Sequence, residues 1–112
     1  MQKEIFEQPD AIARTVEAYL TGDDIALNLP FSSDFATSIG RISILACGTS
    51  WHAGLVGKFF IERLARIPVD VDYASEFRYR GPVIGNDTLA IAISQSGETA
   101  DTVAALTEAA SR

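Results

Sequence analysis

The sequence predicts an α/β fold, a parallel sheet lying between two layers of helices. Short apolar runs and helical patterns follow one another in the order strand, helix, strand, strand, helix over residues 42–111, the order of a parallel sheet. The last strand, Leu89-Ala90-Ile91-Ala92-Ile93, is apolar on both faces, as expected where helices cover the sheet on each side. Both loops that leave an apolar strand to enter a helix, "CGTSWHAG" and "SQSGET", are rich in small hydroxyl residues.

Each element has its own justification. Residues 9–20 read as a helix, with Pro9 suited to the first helical position, Ile12, Val16, Tyr19 and Leu20 on one face, and Gly22 closing it. Residues 21–40 mix Gly, Asp, Asn, Pro and Ser with isolated Ile25, Leu27, Leu29 and Phe31, a connecting segment with a helical turn near Ser33 to Thr37. Ile42 to Ala46 form the first strand, ended by Gly48. From Ser50 to Arg66 the spacing predicts a helix with an apolar face of Leu55, Val56, Phe59, Phe60 and Leu64. Its Lys58, Glu62 and Arg66 are expected to face water, and Pro68 stops it. "VDVDYASEF" alternates Val69, Val71 and Tyr73 against Asp70, Asp72 and Ala74, the pattern of a half-buried or edge strand. Thr88 to Ile93 are expected at the centre of the sheet. The closing helix, from about Ala100 to Ser111, is expected to turn Val103, Leu106 and Ala110 inward.

Composition sets the outer bounds. A chain of 112 residues holds one core, and 47% hydrophobic with 21% charged residues is a globular composition. A net charge of −6, with the 9 basic residues scattered, argues against nucleic acid as a partner. The single cysteine, Cys47, excludes an internal disulfide and fits a reducing compartment. No stretch reaches the ~18 apolar residues of a membrane span, so a soluble cytoplasmic protein is expected.

In parallel α/β sheets ligands bind beyond the carboxyl ends of the strands, where loops enter helix N-termini. Such an N-terminus offers free backbone N–H groups and the positive end of the helix dipole, and therefore favours an anion. Ser and Thr hydroxyls add neutral donors, and Gly97 lets the backbone curl around a ligand. The expected ligand is a phosphate held without a basic clamp. Nucleotide motifs fail on spacing: Gly57-Lys58 is followed by Phe59, with His52 where a P-loop has its first glycine. The Gly48 loop likewise lacks G-x-G-x-x-G.

Each of these residues also has a plainer reading. The "SQSGET" hydroxyls could be helix caps, so capping and ligand binding stay open on the residues alone. Cys47 reads as a small buried apolar side chain rather than a nucleophile. Trp51 reads as core or interface, and Glu98 suits the first turn of a helix whether or not it moves protons. His52 is the only histidine and lacks ligand partners at metal spacing, so no metal and no other cofactor is expected.

"ILACGTSWHAG", "VDYASEFRYR" and "AISQSGETADT", in this order and spacing, resemble the SIS (sugar isomerase) domains of isomerising glutamine–fructose-6-phosphate aminotransferases. "MQKEIFEQP" resembles the segment that joins the glutaminase half of those enzymes to the isomerase half. "SQSGET" alone marks only the domain type; the combination is more specific. The resemblance implies residues 1–40 as interdomain linker and N-terminal helix, and residues 41–112 as a partial SIS domain of three-layer αβα type. It implies that Ser94, Gln95, Ser96 and Thr99 hold the phosphate of a hexose 6-phosphate, such as fructose 6-phosphate or glucosamine 6-phosphate, with Gly97 setting the loop geometry and Thr49 and Ser50 near the sugar. It implies the conversion of fructose 6-phosphate and glutamine to glucosamine 6-phosphate without a metal.

The proton-transfer glutamate, ring-opening histidine and Schiff-base lysine of the family fall later in its sequence. His52 and Lys58 do not fill those roles, and no catalytic residue is expected here. The glutaminase half, with its N-terminal cysteine nucleophile, is not matched, since position 2 is Gln2. With the chain closing one helix after the third strand, a fragment that is inactive alone is expected, and its open sheet edge predicts that, folded alone, it associates as a homo-oligomer, a dimer or higher. Two alternatives share the same loop: a phosphosugar-sensing SIS module and a simple aldose–ketose phosphate isomerase. A sensing regulator would carry a basic helix-turn-helix, whereas residues 1–40 hold only Lys3 and Arg14 as basic residues.

Overall fold

The computed structural model of the chain describes residues 1–21, 26–27 and 32–112. It divides into two compact units, Met1–Ala36 and Thr37–Arg112. In the first, helix α1 spans Gln2–Tyr19 and is followed by a short antiparallel pair, β1 (Leu20–Thr21) with β2 (Ala26–Leu27), in which Leu20 faces Leu27.

Helix α1 begins seven residues before the expected start, and Pro9 lies inside it rather than opening it. Pro9 removes one N–H to the carbonyl four residues back. Gln2, Lys3, Glu4 and Glu7 upstream are good helix formers, and the Lys3–Glu7 and N-terminus–Glu4 ion pairs support the extension. No residue of α1 is buried, so its apolar stripe through Ile12 and Val16 faces outward. Gly22, Ile25, Leu29 and Phe31 lie outside the described residues. The helical turn expected near Ser33 is α2 (Ser33–Ser38).

The second unit is built on three parallel strands, β3 (Arg41–Ala46), β4 (Val69–Tyr73) and β5 (Thr88–Ile93), in the order β4-β3-β5. Helix α3 (Gly48–Leu64) joins β3 to β4, a single helical turn α4 (Ala74–Phe77) follows β4, and α5 (Ala100–Ala110) follows β5. Alternation along the strands separates two cores. Ile42, Ile44 and Val69 form one, with Val71, Leu89, Ile91, Ile93 and Ile61 of α3 packed on it. Leu45, Ala74, Phe77, Ala105 and Ala109 form the other, under α4 and α5. Helices on both faces of a parallel sheet make the three-layer αβα architecture that the element order predicts.

Three expectations need correcting. The central strand is β3, buried from Ile42 to Ala46, and β5 lies at the edge among the described strands. An apolar run on both faces reports that helices cover the sheet, and carries no information about order within it. Second, "ASEF" is not strand. After Tyr73 the chain turns into α4, which buries Ala74 and Phe77 against Leu45.

Third, both sheet-packed helices present a different face from the one predicted. In α3 the buried side is Gly54, with Ile61 against the core, while Phe59 and Leu64 are 73% and 77% exposed. In α5 the buried residues are Thr102, Ala105 and Ala109, whereas Val103, Leu106 and Ala110 face outward. Small residues let a helix axis come close to a sheet. The larger apolar side chains, which dominate any hydropathy reading, are left on the far side.

Lys58 and Glu62 were expected in water, yet they clip α3 to the start of β4. Lys58 Nζ donates to the Val69 carbonyl and pairs with Glu62 Oε1 at 3.1 Å, and Glu62 Oε1 also accepts the Val69 N–H at 3.1 Å. These bonds, the Val69 N–H first, hold the Glu62 carboxyl below its ordinary pKa of 4.5.

Candidate functional site

The parallel register fixes where the two hydroxyl-rich loops emerge. Ala46, the last residue of β3, pairs with Ile93, the last of β5, so Cys47 and Ser94 leave the sheet side by side. From there the chain enters α3 at Gly48 and α5 at Ala100. Their first turns line one cavity of about 260 Å³ with Cys47, Gly48, Thr49, Ser50, Ile93, Ser94, Gln95, Ser96, Thr99 and Thr102. The six side chains proposed from sequence to bind ligand, Thr49, Ser50, Ser94, Gln95, Ser96 and Thr99, are all on its wall.

The loop is shaped by its own hydroxyls. Ser94 Oγ accepts the Gly97 N–H at 3.0 Å and lies 3.2 Å from Thr99 Oγ1, while Ser96 Oγ accepts the Glu98 N–H at 3.2 Å. Gly97 has φ +73°, a left-handed conformation that costs a residue with a Cβ about 1–2 kcal/mol. Gly48 is also left-handed, at φ +57°. These two glycines turn the backbone at the two mouths of the sheet.

The first-turn amides of an α-helix have no intrahelical acceptor. Thr99 occupies the N-cap of α5 and Cys47 that of α3, and neither makes a side-chain capping bond. The first helical bond of α5 runs from the Val103 N–H to the Thr99 carbonyl. The Ala100, Asp101 and Thr102 amides precede it. Capping therefore does not account for Thr99: its hydroxyl turns to Ser94 instead. Two uncapped positive helix ends open onto one small hydroxyl-lined space, with no lysine or arginine on its wall.

The remaining candidates fall elsewhere. Trp51 stacks on Tyr73 at 4.5 Å between ring centroids and meets the His52 ring edge-on at 5.2 Å; neither Trp51 nor His52 lines the cavity. Lys58 is held in its clip on β4. Cys47 is half-buried, lines the cavity and packs against the Leu45 core. Among the described residues, no three His, Cys, Asp or Glu side chains are grouped to hold a metal ion. No helix among them is long and apolar enough to cross a membrane. Larger clefts of about 580 and 500 Å³ border the C-terminal half of α5, at the negative end of its dipole; Glu108 lines both, Arg112, which pairs with Glu108, lines the first and Arg78 the second. Sequence reading missed Thr102 on the cavity wall, although its place one helical turn after Thr99 puts the two on one side of α5.

This fold and this pair of helix starts are those of a sugar-isomerase-type domain: residues 37–112 match the SIS domain family, and the chain belongs to it. More particularly, it is 60% identical over 111 residues to a glutamine–fructose-6-phosphate aminotransferase (isomerizing) of Clostridium tetani, covering 97% of this chain and 18% of that protein. The protein of the same name from Clostridium acetobutylicum is 55% identical, over 99% of this chain and 19% of its own length. A solved structure, the C-terminal domain of glucosamine-fructose-6-phosphate aminotransferase from Francisella tularensis, superposes with a TM-score of 0.92 at 42% identity. The match covers all of this chain and 31% of that one. The chain thus spans about a fifth of the length of the curated relatives it matches.

Proposed function

We propose that this chain is the phosphosugar-binding part of an isomerising glutamine–fructose-6-phosphate aminotransferase, and that the cavity between β3 and β5 takes the phosphate of a hexose 6-phosphate. The observation that carries the proposal is the convergence of two uncapped helix N-termini on the cavity lined by Thr49, Ser50, Ser94, Gln95, Ser96 and Thr99. A phosphate there accepts hydrogen bonds from first-turn amides and hydroxyls, and its charge is balanced by two helix dipoles rather than by a cation. That explains how a chain of net charge −6 can hold an anionic substrate.

The work of these residues is to bind and orient. Anchoring the phosphate fixes one end of the sugar, so that groups acting on the other end meet it in a defined position. In this reading residues 1–40 are a connecting segment, in accord with the division of the chain after Ala36. The setting is the cytoplasm, and the acid–base residues come from elsewhere in the enzyme. Self-association belongs to the same proposal, supported by the outward Phe59, Phe60 and Leu64 of α3 and the unpaired outer edge of β5 among the described strands.

Calorimetric titration of the chain with fructose 6-phosphate tests the binding reading. Saturable heat is expected, with affinity at least about tenfold weaker in Ser96→Ala, because that change removes a donor to a charged ligand and the bond that shapes residues 96–98. Equal affinity in wild type and Ser96→Ala would place the ligand elsewhere.

A further inference from the structure

Thr102 stands apart from the other hydroxyl residues of the cavity by its burial: Thr49, Ser50, Ser94, Ser96 and Thr99 are exposed or half-buried. The Ser94, Ser96 and Thr99 hydroxyls are exchanged among themselves and the loop backbone. Thr102, the third residue of α5, is 3% exposed and also lines the cavity, yet its Oγ1 is buried without a hydrogen-bond partner. A buried hydroxyl left unpaired is costly, and such a group in a native protein calls for an explanation. Threonine in a helix divides between two χ1 rotamers, so a second staggered position is open to the hydroxyl.

We propose that Thr102 is a ligand-binding residue of this cavity, whose hydroxyl is kept free of protein partners so that it can donate to an anionic oxygen of the bound phosphate. The inference rests on the phosphosugar reading above and adds a donor to it. Oγ1 is enclosed on the wall, so engagement requires the χ1 rotation or a slight movement of the 94–99 loop. The bond then replaces an unsatisfied group by a charge-assisted one. A residue serving only to pack would gain by losing its oxygen, and a threonine there would have no advantage over valine.

The test compares the chain with Thr102→Val, Thr102→Ser and Ser96→Ala, using fructose 6-phosphate and inorganic phosphate as probes, with the melting temperature of each ligand-free protein measured alongside. Thr102→Val is expected to bind both probes about tenfold or more weakly while melting at or above the wild-type temperature, since it keeps the shape and removes the unpaired oxygen. Thr102→Ser, which keeps the hydroxyl, is expected to bind within about threefold of wild type. Wild-type affinity in Thr102→Val, with binding lost in Ser96→Ala, would overturn the role of Thr102 and leave the phosphosugar reading standing. Failure of the wild type to bind either probe would overturn both. Weaker binding together with a lower melting temperature in Thr102→Val would make Thr102 a structural residue only.

Discussion

Two glycines in the same helix should respond to alanine with opposite signs. Gly54 lies where α3 crosses the sheet: a Cβ there would stand 3.0 Å from Ile44 Cγ2 and 3.1 Å from Val71 Cγ1. That is about 0.5 Å inside the ~3.5–4.0 Å optimum for carbon contacts. Neither neighbour can swing away cheaply. Both are β-branched and stiff at χ1, and Ile44 is buried on the central strand. Overpacking of this kind costs about 1–3 kcal/mol, against up to about 1 kcal/mol gained from helix propensity, so Gly54→Ala should lose about 1 kcal/mol. At Gly57, one turn on, the nearest atom to a new Cβ is Ile44 Cδ1 at 3.9 Å, an ordinary contact. Gly57→Ala should therefore gain about 0.5–1 kcal/mol. Urea unfolding followed by circular dichroism reads both, at unchanged m-value. The consequence reaches the site, because α3 carries Gly48, Thr49 and Ser50 to the cavity. Gly54→Val, which pushes the helix further, should weaken phosphosugar binding as well as stability. Stability changes of the same sign at both alanine variants would refute this account of how α3 sits on the sheet.

The other predictions concern single positions. Gly97→Ala meets no atom within 4 Å, so its cost is the left-handed backbone alone, about 1–2 kcal/mol; ligand affinity should fall with little change in the unfolding of the remaining sheet, read by hydrogen exchange. Arg66 has φ +58° just beyond the end of α3, where glycine is the usual choice, and Arg66→Gly should raise stability by about 1 kcal/mol in urea unfolding. The Glu62 carboxyl is depressed in the folded state, so its contribution is complete above the unfolded value of 4.5 and is lost as pH falls through the folded value; Glu62→Gln should flatten the acid limb of stability against pH. Asp72 acts in the opposite sense. Burial raises its pKa above 3.8, with Arg80 partly offsetting, so its ionisation lowers stability as pH rises through that window, and Asp72→Asn should remove that slope.

Much of this was legible in the sequence, and the misses share a cause. The β3 and β5 strands and the two loops were readable because short apolar runs that break into small hydroxyl residues and glycine have few other interpretations. The faces of α3 and α5 were misread because Phe59, Leu64, Val103 and Leu106 carry the hydropathy, whereas close packing on a sheet selects Gly54, Ala105 and Ala109. Among the described strands β4 lies at the edge as its alternation predicts, whereas β5 was misplaced to the centre because the order of parallel strands depends on crossovers, which leave no mark in residue patterns. The candidate cavity lies at the carboxyl ends of β3 and β5, where the general rule for α/β sheets puts a ligand. Thr102 was passed over because a lone threonine inside a helix carries no sequence signal until its burial is known.

The measurement that tests the central claim most directly is a two-dimensional amide spectrum of the chain during titration with fructose 6-phosphate. Saturable shifts are predicted at the Gly97, Glu98 and Thr99 amides and at the first turns of α3 and α5, and in Ser96→Ala these should need at least about tenfold more ligand. A dispersed spectrum that ignores the ligand, or shifts confined to the clefts beside Glu108, would contradict a phosphate cradle between β3 and β5.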